Sequence, residues 1–327
     1  MIKLTPLVCA LLLAFPVLGS QEVSPLKKVY ISQVVDHPAL NATVKGIIDE
    51  LEQNGFKKGV NLEVRVESAQ NSPSLAMQIA AKLISQEPDV TVGVGTVAAQ
   101  SLAKYAQAGK TTLVFSSVTD PLEAGLVDTL DKPGQNTTGV SNFVELEPQI
   151  KLIQKLTPFV KCLGILYNPG ESNSLTIVQK LEKICPTMGI TLIKQAVHKT
   201  SDIAQAATAL GNKVDAFFIS NDNTALAALP SIIGIANRAK IPVYVSDTDA
   251  VKLGALAALG PNQYAIGRQT GILITRILKG EKVEKVPVEF PKNTDLYLNE
   301  ETAFKLGVIF PKEIRKQAQK IVEKESS

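Results

Sequence analysis

Short apolar runs alternate with stretches of helical spacing along most of the chain. Lys28–Val35 is mainly apolar and of strand length, as expected of a strand covered on both faces. It ends in Asp36-His37-Pro38, after which Leu40, Val44, Ile47, Ile48 and Leu51 recur at helical spacing and Gly55 supplies a C-cap signal. Asn61–Val66 alternates as a strand, Ser74–Ser85 reads as a helix, Val90–Val94 as a third strand, and a further strand begins at Leu113. The same succession returns: helix over 147–156, strands over 163–167 and 190–196, helix over 203–210, strands over 214–219 and 241–245. Residues 255–259 read as a return strand and 264–278 as a helix. Short strands over 286–290 and 296–298 and closing helices over 300–306 and 312–325 follow. The predicted class is α/β, with doubly wound parallel sheets.

The strands share one habit: they run into polar residues just before a helix. Phe115-Ser-Ser-Val-Thr-Asp-Pro121 is the fullest case, since Pro121 forbids continuation as strand or helix interior. Asn168–Ser174, Ser220–Thr224 and Ser246–Asp249 repeat it. Any one of these is explained by helix capping, at about 1 kcal/mol each. As a set they lie at the carboxyl ends of parallel strands, where ligands of open α/β sheets sit. Gly93-Val-Gly95-Thr-Val-Ala98 resembles a dinucleotide fingerprint but follows the third strand, so it reads as a tight turn with Thr96 at a helix N-terminus. Gly109-Lys110-Thr111 fails as a phosphate loop, because Lys104 stands where the first glycine belongs and a strand follows.

Composition narrows the function. The 327 residues are 45% hydrophobic and 20% charged, enough for two cores. A net charge of +3 without a dense Lys/Arg block argues against nucleic acid. Lys3 and the apolar run Leu4–Leu18, with a cut near Ser20, read as a cleaved secretory signal over 1–20. That run holds Pro6 and Pro16 and is too short for a membrane anchor. Val8 before Cys9 stands where a lipoprotein needs a small residue, so a free periplasmic protein is expected. In an oxidising compartment Cys162, opening a strand, and Cys185, ending the next helix, are expected to form a disulfide, with two free thiols as the alternative. His37 and His198 are the only imidazoles, and G-x-S-x-G and H-E-x-x-H are missing. Neither an enzyme nor a metal site is therefore expected, and no cofactor.

His37-Pro-Ala-Leu40, Phe115–Pro121, Thr138-Gly-Val140, Leu166-Tyr-Asn-Pro169 with Ser172-Asn-Ser174, Ser220-Asn-Asp222, and Gly260 through Gly267-Arg268-Gln269 form a set. Through them almost all of the chain after the signal resembles the ABC-transporter substrate-binding proteins of the tryptophan/tyrosine-binding type, a branch of the type I periplasmic binding-protein fold. The resemblance implies two doubly wound parallel-sheet lobes joined by a three-stranded hinge and closing on a small ligand, often an aromatic amino acid. Lobe 1 is assigned to 28–138 and 258–290, and lobe 2 to 142–255 and 293–325. The expected partners are that ligand and the permease of an ABC importer, with the chain itself a monomer.

The residues suit such a ligand. Thr96, Ser116, Ser117, Thr119, Ser172, Asn173 and Ser174 offer donors for a carboxylate, and Asn142, Asn168 and Asn223 join them at the strand ends. Asp120, Asp222 and Asp247 are candidates for an ammonium, Asp247 first; Asp120 is alternatively a brace for the Pro121 turn. Tyr264 and His37 are candidate walls for a ring, although Tyr264 is equally read as hinge packing and His37 as a structural turn residue. A sugar or other small solute on the same fold is the alternative ligand, and an exported enzyme the alternative class.

Overall fold

The structure, a computed structural model, describes residues 25–323. The expected signal over 1–20 lies outside the described residues. Two sheets carry the fold, with strand orders β2-β1-β3-β4-β5 and β12-β11-β10-β9-β8-β6-β7. The first is built from β1 (Lys27–Gln33), β2 (Leu62–Ser68), β3 (Val90–Val94), β4 (Leu113–Val118) and β5 (Thr137–Ser141), all parallel. Between them run α1 (Pro38–Gln53), α2 (Pro73–Ile84) and α3 (Thr96–Gln107). β3 and β4 are buried along their whole length, Thr91, Ser116 and Ser117 included.

The second sheet takes β6 (Cys162–Tyr167), β7 (Thr191–Ala196), β8 (Ala216–Ile219), β9 (Val243–Val245), β10 (Ala257–Gly260), β11 (Asp295–Asn299) and β12 (Lys320–Val322). Its strands are parallel except that β11 runs against β10. Its helices are α4 (Leu146–Leu156), α5 (Ser172–Thr187), α6 (Ile203–Gly211), α7 (Asn223–Ala227), α8 (Leu229–Arg238), α10 (Glu300–Leu306) and α11 (Lys312–Gln317). The expected fold class is borne out: two mainly parallel α/β lobes.

The chain passes between the sheets three times: after β5, after β10 and after Glu289. Glu289 itself bridges Val140 at the edge of the first sheet. The return strand belongs wholly to the second sheet. α9 (Gln263–Leu278) then goes back to cover the first lobe. It lies so close to α1 that a Cβ on Gly267 would sit 2.0 Å from the Thr43 carbonyl, and one on Gly46 would sit 2.3 Å from that of Tyr264. The last expected helix, over 312–325, ends at Gln317. The described chain beyond it pairs with β11 as β12, because Ile321 and Val322 have an open strand edge to join.

Cys162 and Cys185 are unbonded, correcting the expected disulfide. Cys185 is buried among Leu181, Ile190 and the apolar residues of the second-lobe core, whereas Cys162 is half-buried at the start of its strand. Burial pushes the Cys185 thiol up to about 11, as befits a packing residue.

Candidate ligand site between the lobes

In each sheet the order of strands reverses once, beside β1 and β3 in the first and beside β6 and β8 in the second. A crevice opens at such a switch point beyond the strand ends. The two crevices face one another across a single cavity lined from both lobes. From the first lobe the lining comprises Val35, His37, Ala39, Leu40, Gly95, Thr96, Ser117 and Thr119. Asn173, Asn221, Asn223, Leu226 and Asp247 come from the second, and Asn142 and Gln263 from the crossings. No Lys or Arg is among them.

His37 is the N-cap of α1 and its Nδ1 accepts from the Ala39 amide at 3.3 Å. Burial holds its pKa below the usual histidine value, against the pull of Asp249 and Asp36. The ring is therefore neutral with its proton on Nε2, and Nε2 is buried without a partner. Asp247 ends β9, and one of its oxygens caps the following 3₁₀ turn through the Asp249 amide at 3.0 Å. Its Oδ2 is buried and unpartnered. Burial, reinforced by Asp249, raises the Asp247 carboxyl to about 7. Asn173 contributes a third such atom, Oδ1. Buried polar groups are ordinarily satisfied, so three orphans on one cavity mark a place for ligand atoms.

Ser117 owes its position to a register slip between Ser116 and Val118 in the β4–β5 pairing. Its φ of 54° is left-handed, a conformation a non-glycine residue adopts at a cost. The slip turns Ser117 Oγ toward Thr43 Oγ1 (3.2 Å) and Gln263 Oε1 (2.9 Å). Gly95, also left-handed, enters α3 where a Cβ would stand 2.6 Å from Val34, and sets Thr96 at the helix start. Thr119 and Asn142 bond to each other at 3.3 Å, and Asn221 reaches both from the second lobe at 3.5 and 3.4 Å.

His37, Thr96, Ser117, Thr119, Asn142, Asn173, Asn223 and Asp247 thus meet on one cavity. Other candidates do not line it. Ser116 turns into the first lobe and bonds Thr270 at 2.7 Å. Asp120 accepts from the amides of Leu122 (3.2 Å) and Glu123 (3.1 Å), bracing the turn as its alternative reading held. Asp222 is spent on Asn168 N (2.6 Å), Ser174 Oγ (2.6 Å) and Ala225 N (2.7 Å), so neither it nor Ser174 is free for a ligand. Burial and then Glu171 raise the Asp222 pKa, against those bonds. Asn168 donates to Thr224 at 2.9 Å and caps Gly170, and Ser172, though its hydroxyl is buried and unpartnered, lies outside the lining. Tyr264 stands on the outer face of α9 bonded to Asp49 at 2.8 Å and walls no ring. Asn173 is no donor for a carboxylate either, since its Nδ2 is held by the Asn221 carbonyl at 2.6 Å and by Glu171.

Val35, Leu40, Leu226 and Gln263 escaped notice in the sequence. The apolar three carry no mark that separates them from core, but Gln263 follows the polar break Gly260-Pro261-Asn262 and was open to the same reasoning as the other strand ends.

The chain was compared with known proteins. A family model described as ABC transporter substrate binding protein matches residues 28–322. A tyrosine-binding protein of Clostridioides difficile is 33% identical over 276 residues, covering 84% of this chain and 79% of that one. The crystal structure of a domain in complex with L-Trp from Streptococcus pneumoniae has a TM-score of 0.86 at 33% identity, covering 91% of this chain and all of that one. A ligand-free, open substrate binding protein with adhesive properties from Clostridium difficile has a TM-score of 0.68 at 32% identity, with the same coverage. Match, fold and interlobe cavity agree: this chain belongs to the ABC transporter substrate binding protein family.

Proposed function

We propose that the chain is the extracytoplasmic receptor of an ABC importer, taking up an aromatic amino acid, tyrosine or tryptophan, and handing it to a membrane permease. One observation carries the reading. A cavity between the lobes holds a neutral imidazole donor at His37 Nε2 and buried acceptors at Asp247 Oδ2 and Asn173 Oδ1, none of them partnered. An amino acid supplies the complement: its ammonium donates to the acceptors, and its carboxylate accepts from His37 and the Thr96 hydroxyl. The apolar side chains of Val35, Ala39, Leu40 and Leu226 are left for the ring, whose burial contributes roughly 4 to 6 kcal/mol before the costs of association.

The arrangement of the lobes supports closure on the ligand. At nearly equal identity the chain is more similar in shape to the L-Trp complex than to the open, ligand-free protein. Direct bonds span the cleft, among them Asn71 Nδ2 to Thr224 Oγ1 at 3.2 Å. No helix among the described residues is long and apolar enough to cross a membrane, in keeping with a receptor that shuttles to one. The test is a thermal-shift panel of the common amino acids, peptides and sugars, followed by calorimetry on the hits. Tyrosine or tryptophan should raise Tm and be recovered unchanged. Stabilisation by sugars alone, or chemical conversion of the ligand, would overturn the reading.

A further inference from the structure

Glu171 does not border the cavity, yet it organises one wall of it. The residue is 4% exposed and stands just before α5. Its carboxylate accepts from Nδ2 of Asn173 (3.2 Å) and of Asn223 (2.6 Å). It also accepts from the amides of Asn223 (2.9 Å) and Thr224 (3.1 Å) and from the Thr224 hydroxyl (2.8 Å). These donors lie at the starts of α5 and α7, the two helices that flank the second lobe's switch point.

A carboxylate only accepts hydrogen bonds, so both asparagines turn their NH₂ groups toward it, Asn173 being held the same way round by the Asn221 carbonyl at 2.6 Å as well. Their carbonyl oxygens are what remains, and both residues line the cavity. For Asn173 that oxygen is buried and unpartnered, as is Oδ2 of Asp247. The second-lobe wall therefore presents two unpartnered acceptors, Asn173 Oδ1 and Asp247 Oδ2, beside the Asn221 amide that donates across the cleft, and the first-lobe wall opposite carries the Nε2–H of His37 and the Thr96 hydroxyl. Thr224, which donates to Glu171, also receives Asn71 from the first lobe, so the contact that spans the cleft ends on the same network.

We propose that Glu171 is a positioning residue that sets the polarity of recognition: by holding the amide nitrogens of Asn173 and Asn223, it makes the second-lobe wall selective for a protonated amino group. This deepens the function proposed above and rests on it. The consequence is a preference that a hydrophobic pocket alone does not supply. A site built to bond a polar group rejects an analogue that lacks it far more strongly than one that lacks a methylene.

The experiment compares L-tyrosine and L-tryptophan with their des-amino analogues, 3-(4-hydroxyphenyl)propanoate and indole-3-propanoate, by calorimetry. Wild type should prefer the amino acids by about a hundredfold or more. In Glu171→Gln a new NH₂ group meets the donors of Asn223 and Thr224, and the amides lose their fixed sense. The preference should shrink tenfold or more (roughly one charge-assisted bond) while the analogues bind about as before. Asn173→Ala, which leaves Glu171 its other partners, should narrow the preference too and carries the test if Glu171→Gln does not fold. Equal loss of amino acid and analogue would show a merely structural role, and an unchanged preference in Asn173→Ala would overturn the assignment. A wild type that binds no aromatic amino acid would sink the parent reading as well, a result distinct from either.

Discussion

His37 Nδ1 lies 3.7 Å from Asp247 Oδ2 across the cleft, and the two do not form an ion pair. The distance is too long for a hydrogen bond, and Nδ1 already accepts from the Ala39 amide. A protonated ring would forfeit that cap. The imidazole thus serves α1 with one nitrogen and the cavity with the other, and the two services are separable. Asn in its place keeps a capping oxygen but has no Nε2–H. His37→Asn should leave the unfolding free energy within about 0.5 kcal/mol and weaken ligand binding tenfold or more, whereas His37→Ala should lose about 1 kcal/mol of stability as well. Equal binding by wild type and His37→Asn would remove His37 from the site.

Asp247 provides a pH signature. Its carboxyl keeps its proton to about 7 in the empty protein, against an ordinary value of 3.8. Between those values the folded state binds more protons than the unfolded one, so this group's contribution to stability is full below about pH 4 and is lost as pH rises through 7. Asp247→Asn removes the titration and keeps the cap. The Tm of the empty variant should therefore gain on wild type between pH 4 and pH 7.

The same carboxyl links ligand to protons with the opposite consequence for affinity. An ammonium binds the ionised form, so affinity should climb with pH by up to about tenfold per unit and level off near 7. Calorimetry in buffers of different ionisation heat at pH 6 should detect a released proton. In Asp247→Asn the slope should vanish and affinity at pH 8 should fall ten- to a hundredfold. A pH-independent wild type would mean that the ligand's ammonium lies elsewhere.

Gly267 tests the contact between helices. A methyl there meets the Thr43 carbonyl at 2.0 Å, and backbone cannot step aside as a flexible side chain does. Gly267→Ala should cost about 1–3 kcal/mol in urea unfolding. It should weaken binding as well, because α1 and α9 begin with His37 and Gln263 and Thr43 bonds both Ser117 and Gln263. Lost stability with intact affinity would show that the site tolerates a shift of the two helices.

The thiols offer a check of another kind. Without reductant, Cys162 and Cys185 should both be alkylated once the protein is denatured, and peptide mapping should find neither in a disulfide. In the native state Cys185 should react far more slowly than Cys162, being buried with a raised pKa.

The elements were legible because strands buried on both faces leave mainly apolar runs, as Val90–Val94 does, and because Gly, Pro and Asx residues punctuate them. The polar strand ends pointed to the cavity for the same reason. Choosing between neighbours was harder. Ser116 and Ser117 are chemically identical in sequence, and a one-residue register slip sends the first into the core and the second to the cleft. Asp222 and Asp247 both stand as candidates with Asp247 first, and tertiary partners consume the one and leave the other with an unpaired oxygen. Glu171 stands inside the polar strand end 168–174 with nothing in the sequence to single it out from its neighbours, and only the meeting of α5 and α7, far apart in the chain, makes it buried.

The return of α9 to the first lobe has a bearing on how the chain is made. All five strands of the first sheet are complete by Ser141, but the face of α1 that bears Thr43 and Gly46 stays uncovered until residues 263–278 arrive. A chain emerging from its N-terminus must therefore lay down most of the second lobe before the first can close its core. The half of the fold that appears first is thus completed only after much of the second has been made.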